Sequence, residues 1–505
     1  MKDYHIGRFR AHFETQKGKR LVFSGYPLLK IALLFLTLSS FYFLYVLLLV
    51  YLAESIIFVR AFVGRGYKKP VITSKTTLLI CVVLVISAIF LFTTWGILSI
   101  NGFIFAILTF DVLAPVIISL IVLLFQPVFV AIRIAILNRA KNALRKHSKL
   151  RVIGITGSYG KTATKEFLAT IVASKFNVLS TPEHKNSEMG IAQTILRALK
   201  PEHEIFIVEM GAYSKGGIQL LCDMTKPEIG IVTGVNEQHL ATFGSMEHLL
   251  SAEGGQELLA ALPSYGLLVV NGDNQYCLDL YKKAEVNKKM YTASKTNIQA
   301  DIWAEEISIK PGNLDFMAIN QKREAGHIAV HVLGKQQAQN LLAAILVAQY
   351  LGITMEEIID ACRNIKPEQA GMTMKNGIHG ITIIDASYSA NPDGVYADLE
   401  YLKIFYGKKI IVMPCLIELG TKSSEIHKRI GKKIAEVCDM AIITTGAKFE
   451  EIRSAAAENH MPANKILLCG NPQEIFHEIT AFCSAGDVIL LEGRVPGELI
   501  SLLNG

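Results

Sequence analysis

Residues 156–162 read Thr-Gly-Ser-Tyr-Gly-Lys-Thr and come directly after a short apolar run. Gly157 and Gly160 let backbone N–H groups turn inward around a polyphosphate, and a helix that starts here adds partial positive charge. Lys161 can reach the terminal phosphates, and Thr162 can ligate Mg²⁺. The first glycine of the common phosphate-loop pattern is missing. The residues therefore predict a short form of that loop, and the alternative is a glycine turn beside an incidental lysine.

Polar residues stand where further apolar runs end. Glu209 ends the run Ile-Phe-Ile-Val-Glu, Asn236 and His239 follow the next run, and Asn271 ends Leu-Leu-Val-Val-Asn. Ligands of parallel α/β sheets bind just beyond the carboxyl ends of the strands. Three polar strand ends beside one phosphate loop predict a site for a nucleotide and its metals. The alternatives are a carboxylate at a helix N-terminus for Glu209 and a surface histidine for His239.

From Arg151 onward apolar strands alternate with amphipathic helices, which is typical of a parallel α/β sheet. A change of pattern near Gln369 predicts a central ATP-binding domain at 139–369 and a Rossmann-like C-terminal domain at 370–505. The predicted strands are Val152–Ile155, Ile205–Glu209, Ile229–Val232, Leu267–Val270, Ile381–Asp385, Lys409–Met413, Met440–Thr444, Lys465–Leu468 and Val488–Leu491.

The first third of the chain is much more apolar than the rest. The 505 residues are 51% hydrophobic with a mean hydropathy of +0.35, and the excess lies in Leu28–Val59, Thr77–Leu98 and Phe103–Leu137. These stretches are long enough to span a membrane. We therefore expect a basic leader at 1–27 and a transmembrane helical module at 28–138. A cleaved signal peptide is not expected, because the leader is long and more hydrophobic segments follow.

Basic residues flank the apolar module at both ends, which predicts that both ends are cytoplasmic. Basic residues also lie between the first two stretches. An even number of crossings accounts for them if Leu28–Val59 is a hairpin of two short helices or a re-entrant element; a basic external loop is the alternative. Glu54 and Asp111 lie inside apolar stretches and are either functional groups or carboxylates held near an interface. Val128–Leu137 is predicted to be a separate amphipathic helix at the interface.

The eight cysteines stand singly, without a Cys-x-x-Cys pair. This spacing indicates neither a zinc site nor a disulfide framework. A reducing cytosol fits the part of the chain that follows the apolar module.

The motifs from 151 to about 500, in this order, resemble the Mur ligase family, which are ATP-dependent amide ligases of cell-wall peptide assembly. Within that family they are most similar to the ligases that add D-alanyl-D-alanine. The residues that carry the resemblance are Thr156–Glu166, Val208–Gly211, Asn236–His239, Phe243–Ser245, Asn271–Asn274, Leu333–Asn340, Asp385–Pro392, and Glu418–Gly420 with Glu425 and His427.

The resemblance implies a reaction in which a substrate carboxylate takes the γ-phosphate of ATP and an amine then displaces phosphate. It implies that Lys161 neutralises the transferring phosphoryl group, and that Thr162, Glu209 and His239 hold two Mg²⁺ ions. The implied ATP-binding residues are Thr156, Gly157, Ser158, Tyr159, Gly160, Lys161, Thr162, Asn271, Asn340, Asp385 and Tyr388. The implied substrate residues are Asn186, Asn391 and Arg494. Asn340 could instead cap a helix that starts at Leu341.

The sequence departs from the family at several of these positions. Glu253 stands where the family commonly carries a carbamylated lysine, so we expect Glu253 to be a catalytic residue that supplies the metal carboxylate directly; a solvent-facing helical glutamate is the alternative. Met372 takes the place of an arginine at the domain junction. The remaining departures are Gln336 and Gln337 for His-Asn, Ala386 for an aspartate, and Glu492-Gly-Arg494 for Lys-Gly-Ser-Arg.

The apolar module takes the place of the family's N-terminal domain, which grips the uridine diphosphate sugar. We therefore expect a multi-pass protein of the cell membrane, with cytoplasmic catalytic domains. Its expected partners are the lipid bilayer, a cell-envelope glycopeptide or lipid-linked precursor, and an amino acid or dipeptide; no nucleic acid is expected. The alternatives are a poly-γ-glutamate synthase-like polymer ligase, a catalytically reduced paralogue, and a nucleotide-dependent transporter or signalling ATPase.

Overall fold

A computed structural model describes residues 25–37, 39–40, 42–63, 72–294, 299–387 and 390–504. The basic leader up to residue 24, most of the basic loop after the second helix, and Tyr388 lie outside the described residues. The chain divides into two compact units, Met1–Ala135 and Ile136–Gly505.

The first unit is helical. Its helices are α1 (Gly25–Thr37), α2 (Tyr42–Val63), α3 (Ser74–Ile97) and α4 (Ile100–Arg145), and α4 continues into the second unit. The last three are long and apolar enough to cross a membrane, whereas Leu28–Thr37 is a shorter apolar helix. The stretch 28–59 is thus divided between two helices, as in the hairpin form of the prediction.

The prediction of a separate helix at Val128–Leu137 is wrong. These residues are part of α4, which continues through Pro115 and Pro127. A proline removes one backbone hydrogen bond, but apolar helices tolerate this loss where neighbouring groups satisfy the freed carbonyl.

Both flagged carboxylates of the first unit contact one lysine. Lys30, on α1, is buried, and its ammonium forms an ion pair with Glu54 of α2 and lies 3.3 Å from Asp111 of α4. Tyr51 donates a hydrogen bond of 2.6 Å to Asp111, and its ring lies 3.9 Å from Lys30 Nζ. These four side chains, which we call the Lys30 cluster, join three helices.

The second unit contains two sheets. The larger has the order β2-β3-β1-β4-β5-β6-β7-β8-β9. Its strands are β1 (Arg151–Thr156), β2 (Val178–Ser180), β3 (Ile205–Glu209), β4 (Ile229–Val232), β5 (Leu267–Asn271), β6 (Asn287–Thr292), β7 (Ile302–Lys310), β8 (Asn313–Asn320) and β9 (Ala325–Val330). The helices that accompany it are α5 (Lys161–Val172), α6 (Glu188–Ala198), α7 (Gly217–Thr225), α8 (Leu240–Phe243), α9 (Met246–Ala252), α10 (Gln256–Ala261), α11 (Gln275–Lys283), α12 (Gln337–Tyr350) and α13 (Met355–Cys362).

Strand β1 lies at the centre of the parallel part of this sheet, between β3 and β4. Almost all of its residues are buried, because α5 and α12 cover one face and α7 lies on the other. Its C-terminal end therefore opens between the ends of β3 and β4. This arrangement brings the loop after β1 next to Glu209, as the polar strand ends predicted.

The antiparallel strands β7, β8 and β9 were not predicted. Their inward residues alternate with half-exposed polar ones, as in β8, where every second side chain is buried. That alternation is a signal for half-buried strands, and Pro311-Gly312 between β7 and β8 is a turn signal. The search for long apolar runs missed both signals.

The smaller sheet has the order β10-β11-β15-β12-β13-β14 and is parallel except for β10. Its strands are β10 (Thr373–Asn376), β11 (Thr382–Ala386), β12 (Lys409–Met413), β13 (Met440–Ile443), β14 (Ile466–Leu468) and β15 (Val488–Glu492). Its helices are α14 (Pro392–Leu402), α15 (Ser423–Val437), α16 (Phe449–Glu458), α17 (Pro472–Phe482) and α18 (Gly497–Asn504). Met372, the residue in place of the family's arginine, is buried in the core of this domain beside Ile384 and Leu333.

Candidate active site

The loop between β1 and α5 is shaped by two glycines with positive φ. Gly157 has φ +140°, and a Cβ there would collide with the hydroxyl of Thr233. Gly160 has φ +75°, and a Cβ there would lie 2.6 Å from Asn340 Oδ1. The loop is thus packed closely against β4 and α12, and only glycine fits either position. Thr156, at the start of the loop, is buried and its hydroxyl has no hydrogen-bond partner among the described residues.

Lys161 and Tyr159 are held within the loop. The Lys161 ammonium donates to the carbonyls of Gly157 (2.5 Å) and Ser158 (3.3 Å), so it lies over the concave side of the loop. The hydroxyl of Tyr159 accepts a hydrogen bond from Asn274 at 3.3 Å, and burial raises the pKa of Tyr159.

A first carboxylate, Glu209, lies at the end of β3 and contacts the start of α5. Its two oxygens accept hydrogen bonds from Thr162 (3.0 Å) and from the Asn186 amide (2.9 Å). The fully buried ammonium of Lys165 lies 3.6 Å away and donates to the Thr181 carbonyl at 2.8 Å. Glu209 is therefore a buried carboxylate at the N-terminus of α5 with a nearby positive charge, and its contacts fit both a metal ligand and the alternative of a carboxylate at a helix N-terminus.

A second carboxylate, Glu253, reaches the same loop from the end of α9. It is 2% exposed and accepts hydrogen bonds from Ser158 Oγ and from His239 Nδ1, each at 2.8 Å. Burial by itself would raise the pKa of Glu253, but the bond from His239, the charge of Lys161 and the bond from Ser158 outweigh burial, and the pKa is lowered. Glu253 is therefore ionised at neutral pH and is not a solvent-facing helical residue.

The C-terminal domain packs against the segment that carries His239. The Asn236 amide donates to Asp393 (2.8 Å) and Asn391 (3.1 Å), and the Ala241 N–H donates to the carbonyl of Glu418 (3.0 Å). Another bond joins the amide of Gln238 to the Ala390 carbonyl at 3.1 Å. Asn391 also caps α14 through the N–H of Gly394. We call this set of contacts the domain seam.

Three other predicted site residues make no hydrogen bond to the glycine loop among the described residues. Asn271 is buried and uses its amide within the protein, donating to the Thr233 carbonyl and accepting from the N–H of Asp273. Asp385 accepts from Ser387 in its own domain. Arg494 is exposed and makes no side-chain hydrogen bond or ion pair among the described residues.

Asn340 lies inside α12 and does not cap it, because the helix begins at Gln337. Its amide donates to Gln337 (2.9 Å), and its oxygen accepts from Thr164 at 3.3 Å. With Gly160 in contact with the same oxygen, Asn340 fixes the end of the loop against α12.

A cavity of about 910 Å³ lies between the central and C-terminal domains. It is lined by Asp273, Ser294, Lys335, Gln336, Gln339 and Tyr401, among others. Gln339 donates to Asp273 at 2.8 Å, so the start of α12 and the turn after β5 together form one side of this cavity.

Sequence reasoning missed two charged residues at the site. Lys165 was seen only as part of the loop motif, and its spacing from Lys161 on a helix puts it on the same face, which was a usable signal. Asp393, whose pKa is raised by burial, follows Asn391 in a helix start and carried no signal that it would bond to Asn236.

These residues fit a magnesium nucleotide. Among the described residues the buried Thr156 hydroxyl has no hydrogen-bond partner, and Thr162 with Glu209 offers a hydroxyl and a carboxylate 3.0 Å apart. In the part of the chain that the structure describes, no group of three or more His, Cys, Asp or Glu side chains is placed to hold a metal by itself. Mg²⁺ usually takes one or two carboxylates and completes its shell with waters and substrate phosphates, and the residues present match that pattern.

Two family profiles match the second unit. The profile described as "Mur ligase middle domain" matches residues 155–348, and the one described as "Mur ligase, glutamate ligase domain" matches residues 372–495. Together with the two sheet domains and the glycine loop between β1 and α5, these matches define the chain as an ATP-dependent ligase.

The chain belongs to the Mur ligase family. The predictions of this family and of a peptide ligase of the Mur type are confirmed.

Similar proteins include UDP-N-acetylmuramoyl-tripeptide–D-alanyl-D-alanine ligases. The one from Bacillus subtilis is 27% identical over 344 residues, which cover 68% of this chain and 72% of the relative. The one from Mycobacterium tuberculosis is 30% identical over 320 residues, which cover 62% of this chain and 60% of the relative.

Solved structures with the same fold include MurF from Acinetobacter baumannii, with a TM-score of 0.65 at 22% identity, covering 73% of this chain and 80% of that one. MurF from Thermotoga maritima in complex with ADP has a TM-score of 0.64 at 24% identity, covering 73% of this chain and 83% of that one. These likenesses establish the mixed α/β fold of the second unit.

Proposed function

We propose that the chain is a membrane-anchored ATP-dependent ligase that forms an amide bond during cell-envelope synthesis. A substrate carboxylate would take the γ-phosphoryl group of ATP, and the amine of an amino acid or dipeptide would then displace phosphate. One observation carries the proposal: Glu209 bonds to Thr162 and Glu253 bonds to Ser158, so two ionisable carboxylates meet one glycine loop.

The residues around the loop have distinct proposed roles. Thr162 and Glu209 would hold the metal at the phosphates, and His239 with Glu253 would hold a second one. Mg²⁺ supplies positive charge against the phosphoryl oxygens when it is bound. Lys161 would leave the loop carbonyls and neutralise the transferring group, since its ammonium is held only by backbone oxygens among the described residues.

We propose that Glu253 replaces the carbamylated lysine of the family. Its support is geometric: the carboxylate is buried, faces the loop and lies 2.8 Å from His239. A glutamate is a permanent carboxylate, so no CO₂ is needed to form it.

The nucleoside of ATP would occupy the cavity beside Gln339. Polar groups from Asp273, Ser294 and Lys335 line it, together with Tyr401 from the C-terminal domain. Asn271, which was expected to contact the nucleotide, would instead support the strand ends that form the cavity wall, because its amide is occupied within the protein.

The acceptor would be a lipid-linked glycopeptide at the cytoplasmic face of the membrane. The relatives' names give a UDP-linked muramoyl tripeptide and D-alanyl-D-alanine as their substrates. In this chain three helices long enough to cross a membrane precede the ligase domains. Anchoring would raise the effective concentration of a membrane-bound acceptor. The same helices would suit a ligase that elongates a polymer at the membrane, which is the second candidate.

The test is ADP release and amide formation by the full-length protein in lipid nanodiscs. ATP, D-alanyl-D-alanine and either a UDP-linked or a lipid-linked muramoyl tripeptide would be supplied. We expect amine-dependent turnover that is faster with the lipid-linked acceptor. Lys161→Ala should abolish turnover, whereas Lys175→Ala, at an exposed position on the same domain, should not.

The other outcomes separate the alternatives. A clear preference for the UDP-linked acceptor would refute the membrane-bound substrate, and elongation of added poly-γ-glutamate would favour the polymer ligase. ATP hydrolysis without any amine would favour an ATPase, and absence of nucleotide binding would favour a catalytically reduced paralogue with Met372 in place of the arginine.

A further inference from the structure

Glu418 adopts a backbone conformation that is unfavourable for a side chain with a Cβ. It follows β12 in the C-terminal domain and has φ +68°, in the left-handed region. A residue other than glycine costs on the order of 1 kcal/mol there and persists where the surroundings impose it. Gly420, two residues later, also has positive φ. The fold therefore holds a glutamate where a glycine would be less strained.

The surroundings of Glu418 fix it from both sides. Its carbonyl accepts the N–H of Ala241 across the domain seam at 3.0 Å. Behind it, the Leu416 N–H donates to Nε2 of the buried His427 at 3.0 Å, and His427 Nδ1 lies 2.6 Å from the Ser423 carbonyl. Burial lowers the pKa of His427, so the neutral ring serves as a fixed support for this loop.

This support directs the Glu418 carboxylate to the candidate active site. Its oxygen lies 3.9 Å from His239 Nε2, on the side of the ring opposite to Glu253. The side chain is 44% exposed, and His239 is its one ion-pair partner among the described residues. Glu418 is thus a carboxylate beside the reaction centre with an open face and without a lysine or arginine.

An amide ligase needs such a group for its second substrate. An amine is mostly protonated at neutral pH, and it must lose protons as the C–N bond forms. We propose that Glu418 binds the ammonium group of the amine substrate and accepts the first of the two protons that its nitrogen loses; this rests on the function proposed above. Loss of that proton frees the nitrogen lone pair. As the lone pair forms the C–N bond, the bond from the acyl carbon to the phosphate oxygen breaks, phosphate leaves with that electron pair and takes the second proton of the nitrogen, and Glu418 releases the first proton to solvent.

Hydroxylamine separates this role from metal binding and from loop structure. It is uncharged at pH 7.5 and attacks activated acyl groups without giving up a proton first. With full-length Glu418→Gln, we expect kcat/KM for D-alanyl-D-alanine to fall about 100-fold, while ATP-dependent hydroxamate formation from the muramoyl tripeptide changes by less than about threefold.

Two further variants complete the test. Glu418→Gly relieves the backbone strain and retains the carbonyl bond to Ala241, so it should show the same selective loss. Glu425→Gln removes an exposed carboxylate of α15 that pairs with Lys422, the residue directly before that helix, and this variant should behave like the wild type.

Each contrary result has a definite meaning. Normal amine kinetics in both Glu418 variants would overturn the proposal in favour of a backbone role. An equal loss of hydroxamate formation would overturn it in favour of a metal ligand. Absence of hydroxamate from the wild-type protein would show instead that the proposed ligase function itself is wrong, and the role of Glu418 would fall with it.

Discussion

Glu253 is the residue whose chemistry differs most clearly from the family pattern. It supplies a carboxylate through its own side chain, hydrogen-bonded to Ser158 and His239. The carbamylated lysine of the family would have to capture CO₂ to provide the same group. Under the proposed role of Glu253, a genetically encoded charge would take the place of a reversible modification.

Glu253→Ala should reduce turnover by a factor of about 1,000, since removal of a group that stabilises charge at a reaction centre costs about 3–4 kcal/mol. Formate or acetate at high concentration should restore part of the rate by occupying the vacated space. Wild-type turnover should be unchanged when CO₂ and bicarbonate are removed from the assay. Full activity of Glu253→Ala without added carboxylate would contradict the role.

The sequence predicted some residues of the candidate active site and missed others. Glu209, His239 and the loop residues were found because each follows an apolar run whose end must face a ligand in a parallel sheet. Lys165 and Asp393 were not found, because their contacts depend on the side-chain packing of neighbouring elements. Asn271 was found, but its amide turns inward to Thr233, which no spacing rule predicts.

Two buried carboxyl groups face each other between helix α14 and strand β15. Asp398 and Glu492 are buried in the same domain, and Gln336 donates to Asp398 at 3.0 Å. Burial raises the pKa of Asp398 to about 6 and that of Glu492 well above its usual range. Glu492 stands where the family has a lysine, so a carboxyl group whose raised pKa favours its neutral form takes the place of a cation.

The free energy of unfolding should therefore depend on pH. Both groups are protonated more readily in the folded than in the unfolded chain, so each contribution is full below about pH 4 and is lost as the pH rises through the pKa of the folded state, which is about 6 for Asp398. Glu492→Gln removes one ionisable group, and it should stabilise the second unit by on the order of 1–3 kcal/mol at pH 8 while flattening the pH dependence.

Thermal unfolding from pH 5 to pH 8 in the full-length protein measures this effect. Glu458→Gln, at an exposed position of the same domain, is the matched control and should leave the pH dependence unchanged. An equal dependence of Tm on pH in the wild type and in Glu492→Gln would contradict the raised pKa values of Asp398 and Glu492.

The Lys30 cluster joins helices α1, α2 and α4 of the first unit. Lys30→Met should leave Glu54 and Asp111 without their common cation and lower the stability of this unit by roughly 1–3 kcal/mol, since both carboxylates are partly exposed. The apparent Tm of the detergent-solubilised protein, followed by size-exclusion chromatography after heating, measures this change. Arg60→Met, an exposed cation on α2, should have no such effect.

The sequence predicted the buried parallel strands accurately, but it missed the half-exposed strands and underestimated the length of one helix. Parallel strands such as β3, β4 and β12 were placed to the residue, because a strand buried on both faces is a continuous apolar run between polar ends. Strand β8 was missed because half of its residues face water. The length of α4 was underestimated because prolines inside an apolar helix do not end it.

For the whole molecule, three long apolar helices and a ligase unit predict an integral membrane protein. The full-length chain should stay in the membrane pellet after washing with high salt and with alkaline carbonate, and it should require detergent for extraction. With α1 and α2 as the hairpin that makes the number of crossings even, reporter fusions at both termini should be cytoplasmic. Release by salt alone would mean that the helices lie on the membrane or pack elsewhere.

The hydrogen bonds of the domain seam have a kinetic consequence. Under the proposed function, a glycopeptide that approaches His239 from the side of the C-terminal domain would enter while these bonds are open, and the ligated product would leave after they open again. The domain seam would therefore open twice in each catalytic cycle, once for the acceptor to enter and once for the product to leave. Reopening, which involves movement of a whole domain through solvent, then competes with chemistry as the slow step of turnover.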